Sequence, residues 1–346
     1  MNGLQNFRKQ YPNLLFEARS FFDLQNMIKQ GNTSSARKVI DFLSHYHENH
    51  SSSPDFPQPH HVNRLLQKLC EYGMMTFFGG RTGKDEENCY VCLKEGTLSE
   101  EEVGRRLNCV AFGMPCVYDE YSPSIIPLES KNASGDIQIG TSIVISSNCL
   151  LTARHCVDRA FGIGIRGISP DEFANVRIYV STDEAIDLAL LKFSRPCFDN
   201  LPKIFFGEGS ILQEVMVLGY PKMPGFAAHL AAERATVSSR LEVTKGTVAA
   251  NPFDIFSKQE LLLISAKVRG GFSGGPVLNT IGECVGMVSR SPTSQAGTTA
   301  DDIGYGVAIP TTLINQFISA TNKIPNETIS ILDNSKFEFR AFSENK

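Results

Sequence analysis

A histidine, an aspartate and a serine stand in that order at positions 155, 187 and 273, separated by 32 and 86 residues. Together these three side chains can do chemistry that none does alone. A serine hydroxyl attacks an amide only when a histidine takes its proton, and a carboxylate must hold that histidine in the right tautomer and stabilise the imidazolium. Ser273 lies in GGFSGGPVLN. Glycines on both sides let the backbone bend sharply and admit a substrate chain closely. The N–H groups of Gly271 and Ser273 would then share one small cavity, as an oxyanion hole requires. His155 follows the apolar run of TSIVISSNCLLTARHCVD, and Asp187 opens IDLALLKF. A carboxylate beginning an apolar strand is costly to bury without a partner, and a histidine N–H is a natural one. Taken singly, each has a plainer explanation: a glycine turn, a structural histidine, a turn aspartate.

These residues need a rigid frame, and the chain beyond about Tyr118 is patterned to supply one. IQIGTSIVIS, NVRIYVS, LALLKF, EVMVLGY, KGTVAAN, LLLISAKV, ECVGMVS and GYGVAIP are short apolar runs set between turn residues. That rhythm predicts an all-β barrel or sandwich. A helical segment, TTLINQFISAT, closes it, and residues 326–346 read as a polar tail. Residues 1–117 read as a smaller, mainly helical domain. In residues 34–46, Ala36, Val39, Ile40 and Leu43 share one helical face, with Asn32, Thr33 and Ser34 offering capping oxygens. VNRLLQKLCEYG repeats the pattern and stops at Gly73. GGRTGKDEEN reads as a charged, glycine-rich loop, and Ser99 with Glu102 forms a capping box before a further helix.

The chain has 346 residues, 42% hydrophobic and 20% charged, which suits about two domains of ordinary globular composition. A net charge of −4 gives no attraction to nucleic acid or an anionic membrane. Charged residues interrupt every apolar run near the N-terminus, so no secretory signal is expected. No run approaches the roughly 18–20 apolar residues of a membrane helix. A soluble, cytoplasmic protein is the expectation. Nine cysteines, an odd number without framework spacing, point to a reducing compartment. Cys89 and Cys92 form a Cys-x-x-Cys pair that Cys109 and Cys116, Cys70 or a histidine would have to complete for zinc. Six residues separate Cys109 from Cys116, which is not a usual knuckle, and two thiols on a loop is the plainer reading. No cofactor is called for.

Three motifs carry a resemblance. TARHC resembles the Thr-Ala-Ala-His-Cys element of the chymotrypsin-like (trypsin-like) peptidases, IDLALLKF their Asp-Ile-Ala-Leu-Leu element, and GGFSGGPV their Gly-Asp-Ser-Gly-Gly-Pro element. The resemblance covers roughly residues 120–320. It implies an all-β double six-stranded barrel over residues 118–325, with the active site in the cleft between barrels, protein or peptide substrates, and His155, Asp187 and Ser273 as catalytic residues. The Gly-Glu-x-Val-Gly turn after the nucleophile and the closing Val-Ala-Ile-Pro resemble HtrA-type proteases, and the short remainder after Ala320 leads to the expectation that their PDZ module is absent. Three departures stand out. Phe272 replaces an aspartate that pairs with a newly cut N-terminus in zymogen-type members, so activation by N-terminal insertion is not expected. Cys156 lacks its usual disulfide partner, which would fall near Gly140. Arg154 replaces an alanine and is expected to be tolerated. By family register, Lys267, Val268, Ser289, Ser291 and Gly306 line the primary substrate pocket, and an inward Lys267 would favour an acidic residue before the scissile bond. A barrel kept only for binding is the competing class, against which the complete triad argues. Residues 1–117 are expected to regulate the protease or dock a protein partner.

Overall fold

The computed structural model describes residues 2–29, 36–50, 56–92, 99–158, 160–173, 175–221, 240–255, 257–289, 304–323, 326–333 and 338–339. The chain forms two compact units, Met1–Val117 and Tyr118–Lys346.

The first unit is not as purely helical as its sequence pattern implies. Helices α1 (Asn2–Gln10), α2 (Leu14–Phe21) and α3 (Leu24–Lys29) precede a two-residue strand, β1 (Arg37–Lys38). Helices α4 (Val39–Asn49) and α5 (Pro59–Glu71) follow. The glycine-rich stretch expected to be a loop is instead a hairpin, β2 (Thr76–Arg81) and β3 (Lys84–Val91), and α6 (Glu100–Phe112) and α7 (Met114–Tyr121) come after it. The strands pair in the order β1-β3-β2. Charge misled the sequence reading here, because β3 carries three half-buried acidic residues, Asp85, Glu86 and Glu87, and fully buries only Asn88 and Tyr90. Helix α4 starts at Val39, with Lys38 as its cap, and it buries Val39, Phe42, Leu43 and Tyr46 while Ile40 stays exposed. The capping oxygens anticipated at Asn32, Thr33 and Ser34 lie outside the described residues. Ser99 and Glu102 do form the capping box of α6.

A buried polar cluster joins α5 to the hairpin. Asn63, 3% exposed, donates from Nδ2 to Asp85 Oδ1 at 2.9 Å. Its Oδ1 accepts from Asn88 Nδ2 at 2.9 Å and from the Tyr90 hydroxyl at 2.5 Å.

The second unit holds two sheets. The first contains β4 (Ile125–Lys131), β5 (Ile137–Ser146), β6 (Cys149–Thr152), β7 (Gly162–Ile165), β8 (Arg177–Ser181) and β9 (Ala189–Lys192), with a short helix α8 (Pro170–Phe173) before β8. The second contains β10 (Phe205–Phe206), β11 (Glu214–Gly219), β12 (Glu242–Ala250), β15 (Leu262–Ile264), β16 (Pro276–Asn279), β17 (Glu283–Val288) and β18 (Gly306–Pro310). The small hairpin β13 (Phe253–Asp254) and β14 (Gln259–Glu260) sits between β12 and β15 in sequence. Helix α9 (Thr311–Thr321) follows β18, and β19 (Ile329–Ile331) and β20 (Glu338–Phe339) end the described chain.

The second sheet closes: β17-β16-β11-β12-β15-β18 returns to β17 through the β17–β18 pairing, a six-stranded barrel. Val215, Val217, Val248, Ile264, Val277 and Val285 fill it. The first sheet has its six expected strands but runs open, in the order β8-β9-β6-β5-β4-β7. Among the described residues β7 and β8 do not pair; β20 lies along β7 and β19 along β8. The expected pair of closed barrels is thus one closed barrel and one open half-barrel. The expected polar tail contributes a strand to each edge of the open sheet.

Replacing Asn63 by alanine leaves Asp85, Asn88 and Tyr90 without their shared partner. Urea unfolding of Asn63→Ala should show a loss of about 2–4 kcal/mol, the cost of several buried polar groups stranded together.

Candidate active site

The ends of two neighbouring interior strands of the first sheet, β6 and β9, carry two of the three triad candidates. Strand β6 ends at Thr152, and residues 154–156 form a 3-10 turn that lifts His155 out of the sheet. Asp187 stands two residues before β9, which pairs with β6. That pairing brings residues 32 apart in sequence into contact. Asp187 Oδ2 lies 2.7 Å from His155 Nδ1, and Oδ1 accepts from the His155 backbone N–H at 2.9 Å. The Arg154 N–H donates to the Asp187 carbonyl at 3.2 Å.

Asp187 is 5% exposed, so its charge must be fully satisfied. A third donor comes from the other sheet: Ser289, just beyond β17, gives its hydroxyl to Oδ2 at 2.6 Å. Register had set Ser289 on the wall of the substrate pocket, and its side chain is engaged with Asp187 instead. A carboxylate facing Nδ1 assigns the proton to that nitrogen and leaves the lone pair on Nε2.

Electrostatics follow from this geometry. Burial pushes the His155 imidazole down, but the hydrogen bond and charge of Asp187, with Cys156 beside it, outweigh burial and raise it above the ordinary histidine value. Burial pushes the Asp187 carboxyl up, and the bonds from His155 and Ser289 outweigh that and hold it below the usual carboxylate range. Asp187 therefore adds stability above its unfolded value of about 3.9, lost as pH falls through its lower folded value. His155 adds stability that is complete below about 6.5 and lost as pH rises through its higher folded value.

Arg154 is more than tolerated. Its guanidinium bonds the Ser181 carbonyl at 3.0 Å, the Asp183 carbonyl at 3.4 Å and Asp158 Oδ2 at 3.3 Å. It thereby ties the His155 turn to the loop leading into Asp187.

Ser273 sits on the loop between β15 and β16, and two glycines there are sterically required. Gly271 has φ +102°, and a Cβ on it would lie 2.3 Å from the Tyr220 carbonyl oxygen. Gly274 has φ +85°, and a Cβ there would lie 2.0 Å from the Thr141 carbonyl oxygen. Phe272 points the other way, fully buried in the core of the closed barrel, and Gly219 leaves room for its ring. Ser273, Gly271, His155 and Cys156 line one cavity of about 500 Å³, with Gly140, Ile139 and Arg269. Among the described residues the Gly271 and Ser273 N–H groups have no acceptor, while the Phe272, Gly274 and Gly275 N–H groups are all bonded within the protein. Ser273 and His155 share the cavity without a hydrogen bond between them, a contact that apo enzymes often leave loose until substrate arrives.

Of the pocket residues read from register, Lys267 is exposed, and Val268 fills the space beside Gly306, where a Cβ would lie 2.7 Å from Val268 Cγ2. Ser291 lies outside the described residues. The four thiols considered for zinc are not gathered. Cys89 and Cys92 are three apart along an extended segment, so they face opposite sides, and Cys109 and Cys116 are buried. Among the described residues no group of three or more possible metal ligands occurs. All nine cysteines are free thiols, including Cys156. No helix among the described residues is long and apolar enough to cross a membrane.

A two-sheet β unit whose cavity is lined by a histidine and a glycine-flanked serine, with a buried aspartate bonded to that histidine, is the arrangement expected of a trypsin-like peptidase. Residues 140–287 match the trypsin-like peptidase domain family. The chain carries a trypsin-like peptidase domain, with relatives named DegP-like and DegS. It is 29% identical over 182 residues to Protease Do-like 2, chloroplastic, of Arabidopsis thaliana, covering 52% of this chain and 27% of that protein. It is 28% identical over 228 residues to a probable periplasmic serine endoprotease DegP-like of Pseudomonas putida, covering 62% and 42%. With serine endoprotease DegS of Haemophilus influenzae the identity is 25% over 217 residues, covering 61% and 58%. The chain thus spans from about a quarter to under two thirds of the length of these relatives. Among solved structures, the HtrA-type protease AlgW with tripeptide matches with a TM-score of 0.43 and 21% identity, over 60% of this chain and 62% of that one.

Asp187 and Cys156 together raise His155 against burial, and the Asp187 hydrogen bond is the largest of the raising influences. In Asp187→Asn only Cys156 still opposes burial, and a histidine titration followed by NMR should show the His155 midpoint falling below that of the wild type. An unchanged midpoint would mean that the carboxylate does not set it.

Proposed function

We propose that the chain is a serine endopeptidase acting through an acyl-enzyme. Ser273 Oγ attacks the scissile carbonyl while His155 Nε2 takes its proton, and the same proton then goes to the leaving amine. Asp187 keeps the imidazole oriented and stabilises the imidazolium. The Gly271 and Ser273 N–H groups receive the oxyanion, and water releases the acyl group by the same steps in reverse roles. One observation carries this reading: a buried Asp187 bonded to His155, which lines one cavity with Ser273 and two N–H groups that lack an acceptor.

Three further features of the proposal have separate support. Activation does not use a newly cut N-terminus, since Phe272 anchors the nucleophile loop by burial, where zymogen-type members use an ion pair. The setting is a reducing one, such as the cytoplasm, since all nine thiols are free; the DegP-like relative is named periplasmic and the Do-like relative chloroplastic. Residues 1–117 regulate the protease or dock its protein partner, supported by their forming a compact unit with its own core.

Labelling with a fluorophosphonate tests the mechanism, because the probe reacts only with an activated serine. Wild type should label, and Ser273→Ala and His155→Ala should each lose at least about 10³-fold in rate. Folded wild type that stays unlabelled would sink the proposal, as would a Ser273→Ala variant that labels like wild type.

The primary pocket is proposed to be shallow, because the Val268 side chain occupies the space that Gly306 leaves open. Cleavage of a peptide library should favour small apolar residues before the scissile bond, and Val268→Gly should extend the preference to larger ones. A preference for acidic residues that disappears in Lys267→Ala would instead assign the pocket to Lys267.

A further inference from the structure

Thr141 lies on β5 of the open sheet, is completely buried, and touches the nucleophile loop of the closed barrel at two points. Its Oγ1 donates to the Gly271 carbonyl at 2.7 Å and accepts from the Tyr220 N–H at 3.0 Å. Its backbone N–H donates to the Ser273 carbonyl at 2.8 Å. Its carbonyl accepts the Thr152 hydroxyl at 2.7 Å. Every polar atom of this residue is therefore committed, and two of its bonds go to Gly271 and Ser273, whose N–H groups have no acceptor of their own.

We propose that Thr141 is a positioning residue for the oxyanion hole: its hydroxyl fixes the Gly271–Phe272 peptide through the Gly271 carbonyl, its main chain fixes the Ser273–Gly274 peptide through the Ser273 carbonyl, and the loop held at these two points keeps the adjoining N–H groups of Gly271 and Ser273 turned into the cavity. The inference rests on the serine-peptidase reading above. A glycine at φ +102° has no Cβ to restrict its rotation, so an outside contact must hold its peptide planes. Steric crowding against Tyr220 limits how close the loop can come, and the Thr141 hydroxyl limits how far it can turn. The hydroxyl suits the task because it gives its one proton to Gly271 while receiving one from Tyr220, and such relayed bonds strengthen each other in a dry interior. A preorganised donor is worth most where water is excluded and no reorganisation is needed at reaction.

The test compares the rate constant for fluorophosphonate labelling of the full chain in wild type, Thr141→Val and Thr141→Ser. Valine keeps the shape and the backbone bond to Ser273 but removes the hydroxyl; serine restores it. Loss of a single oxyanion donor costs about 10²–10³-fold, so a misaimed one should cost about ten- to a hundredfold in Thr141→Val. The midpoint of the pH profile should not move, because the His155–Asp187 pair is untouched, and Thr141→Ser should recover to within about threefold of wild type. A merely structural hydroxyl would change the melting temperature without this loss of rate and its rescue. A folded Thr141→Val that labels within about twofold of wild type overturns the proposal, as does a Thr141→Ser as slow as Thr141→Val. Should Thr141→Val fail to fold, Thr141→Ala, which also lacks the hydroxyl, carries the same comparison. Unlabelled wild type would fault the serine-peptidase reading itself; labelled wild type with an unaffected Thr141→Val would fault only the role given to Thr141.

Discussion

A single buried carboxylate joins the two halves of the β unit. Asp187 accepts two bonds from the His155 residue, on the open half-barrel, and one from Ser289, at the end of a strand of the closed barrel. A buried charge with three close donors is tolerable, whereas the same charge with one partner removed costs about 3–5 kcal/mol. The pairing of β6 with β9 and the position of Ser289 after β17 are thus constrained by one electrostatic requirement. That requirement keeps the two sheets in register across the cavity. Arg154 reinforces it, fastening the His155 turn to the 181–187 loop through the Ser181 and Asp183 carbonyls, while Asp158 on the same turn holds its guanidinium.

The nucleophile loop is held by different means. Its glycines press against the backbone of Tyr220 and Thr141 at distances no side chain could share, its Phe272 ring is sunk in the closed barrel, and Thr141 ties down its carbonyls. Burial supplies the anchoring force, and hydrogen bonds supply direction. Phe272, immediately before Ser273, holds its part of the loop by burial.

The sequence was most readable where local chemistry is unusual. Glycines flanking a serine, and an aspartate opening an apolar strand, are costly patterns unless something repays them. His155, Asp187 and Ser273 could be named as candidates from their order and from the three motifs together, and the short apolar runs beyond Tyr118 announced the β unit. Contacts between residues distant in sequence could not be read in that way. Ser289, just beyond β17, and Thr141, within β5, are ordinary residues whose hydroxyls acquire meaning only when the sheets meet, 102 and 130 residues from their partners Asp187 and Gly271. The β2–β3 hairpin was hidden because β3 is acidic and the residues it packs against α5 are polar, with Asp85, Asn88 and Tyr90 all bonded to Asn63. Period-two hydrophobicity, the usual mark of a strand, is missing when the buried face is a hydrogen-bonded polar cluster.

The tail is a second case in which composition concealed a structural role. An open sheet leaves a row of unpaired backbone groups along each edge, and exposed edges invite pairing with other chains. Here β8 and β7 are those edges, and β19 and β20 lie along them. β19 is Ile-Ser-Ile and β20 is Glu-Phe, runs too short for their alternation to stand out against the polar residues around them. Because β8 is hydrogen-bonded to β9, the strand that Asp187 precedes, the residues after α9 belong to the same pairing network as the triad candidates. The β unit is thus built from both ends of its sequence. Its open half-barrel owes its covered edges to the last residues of the chain, and its closed half owes its integrity to the valine-rich core between β11 and β18.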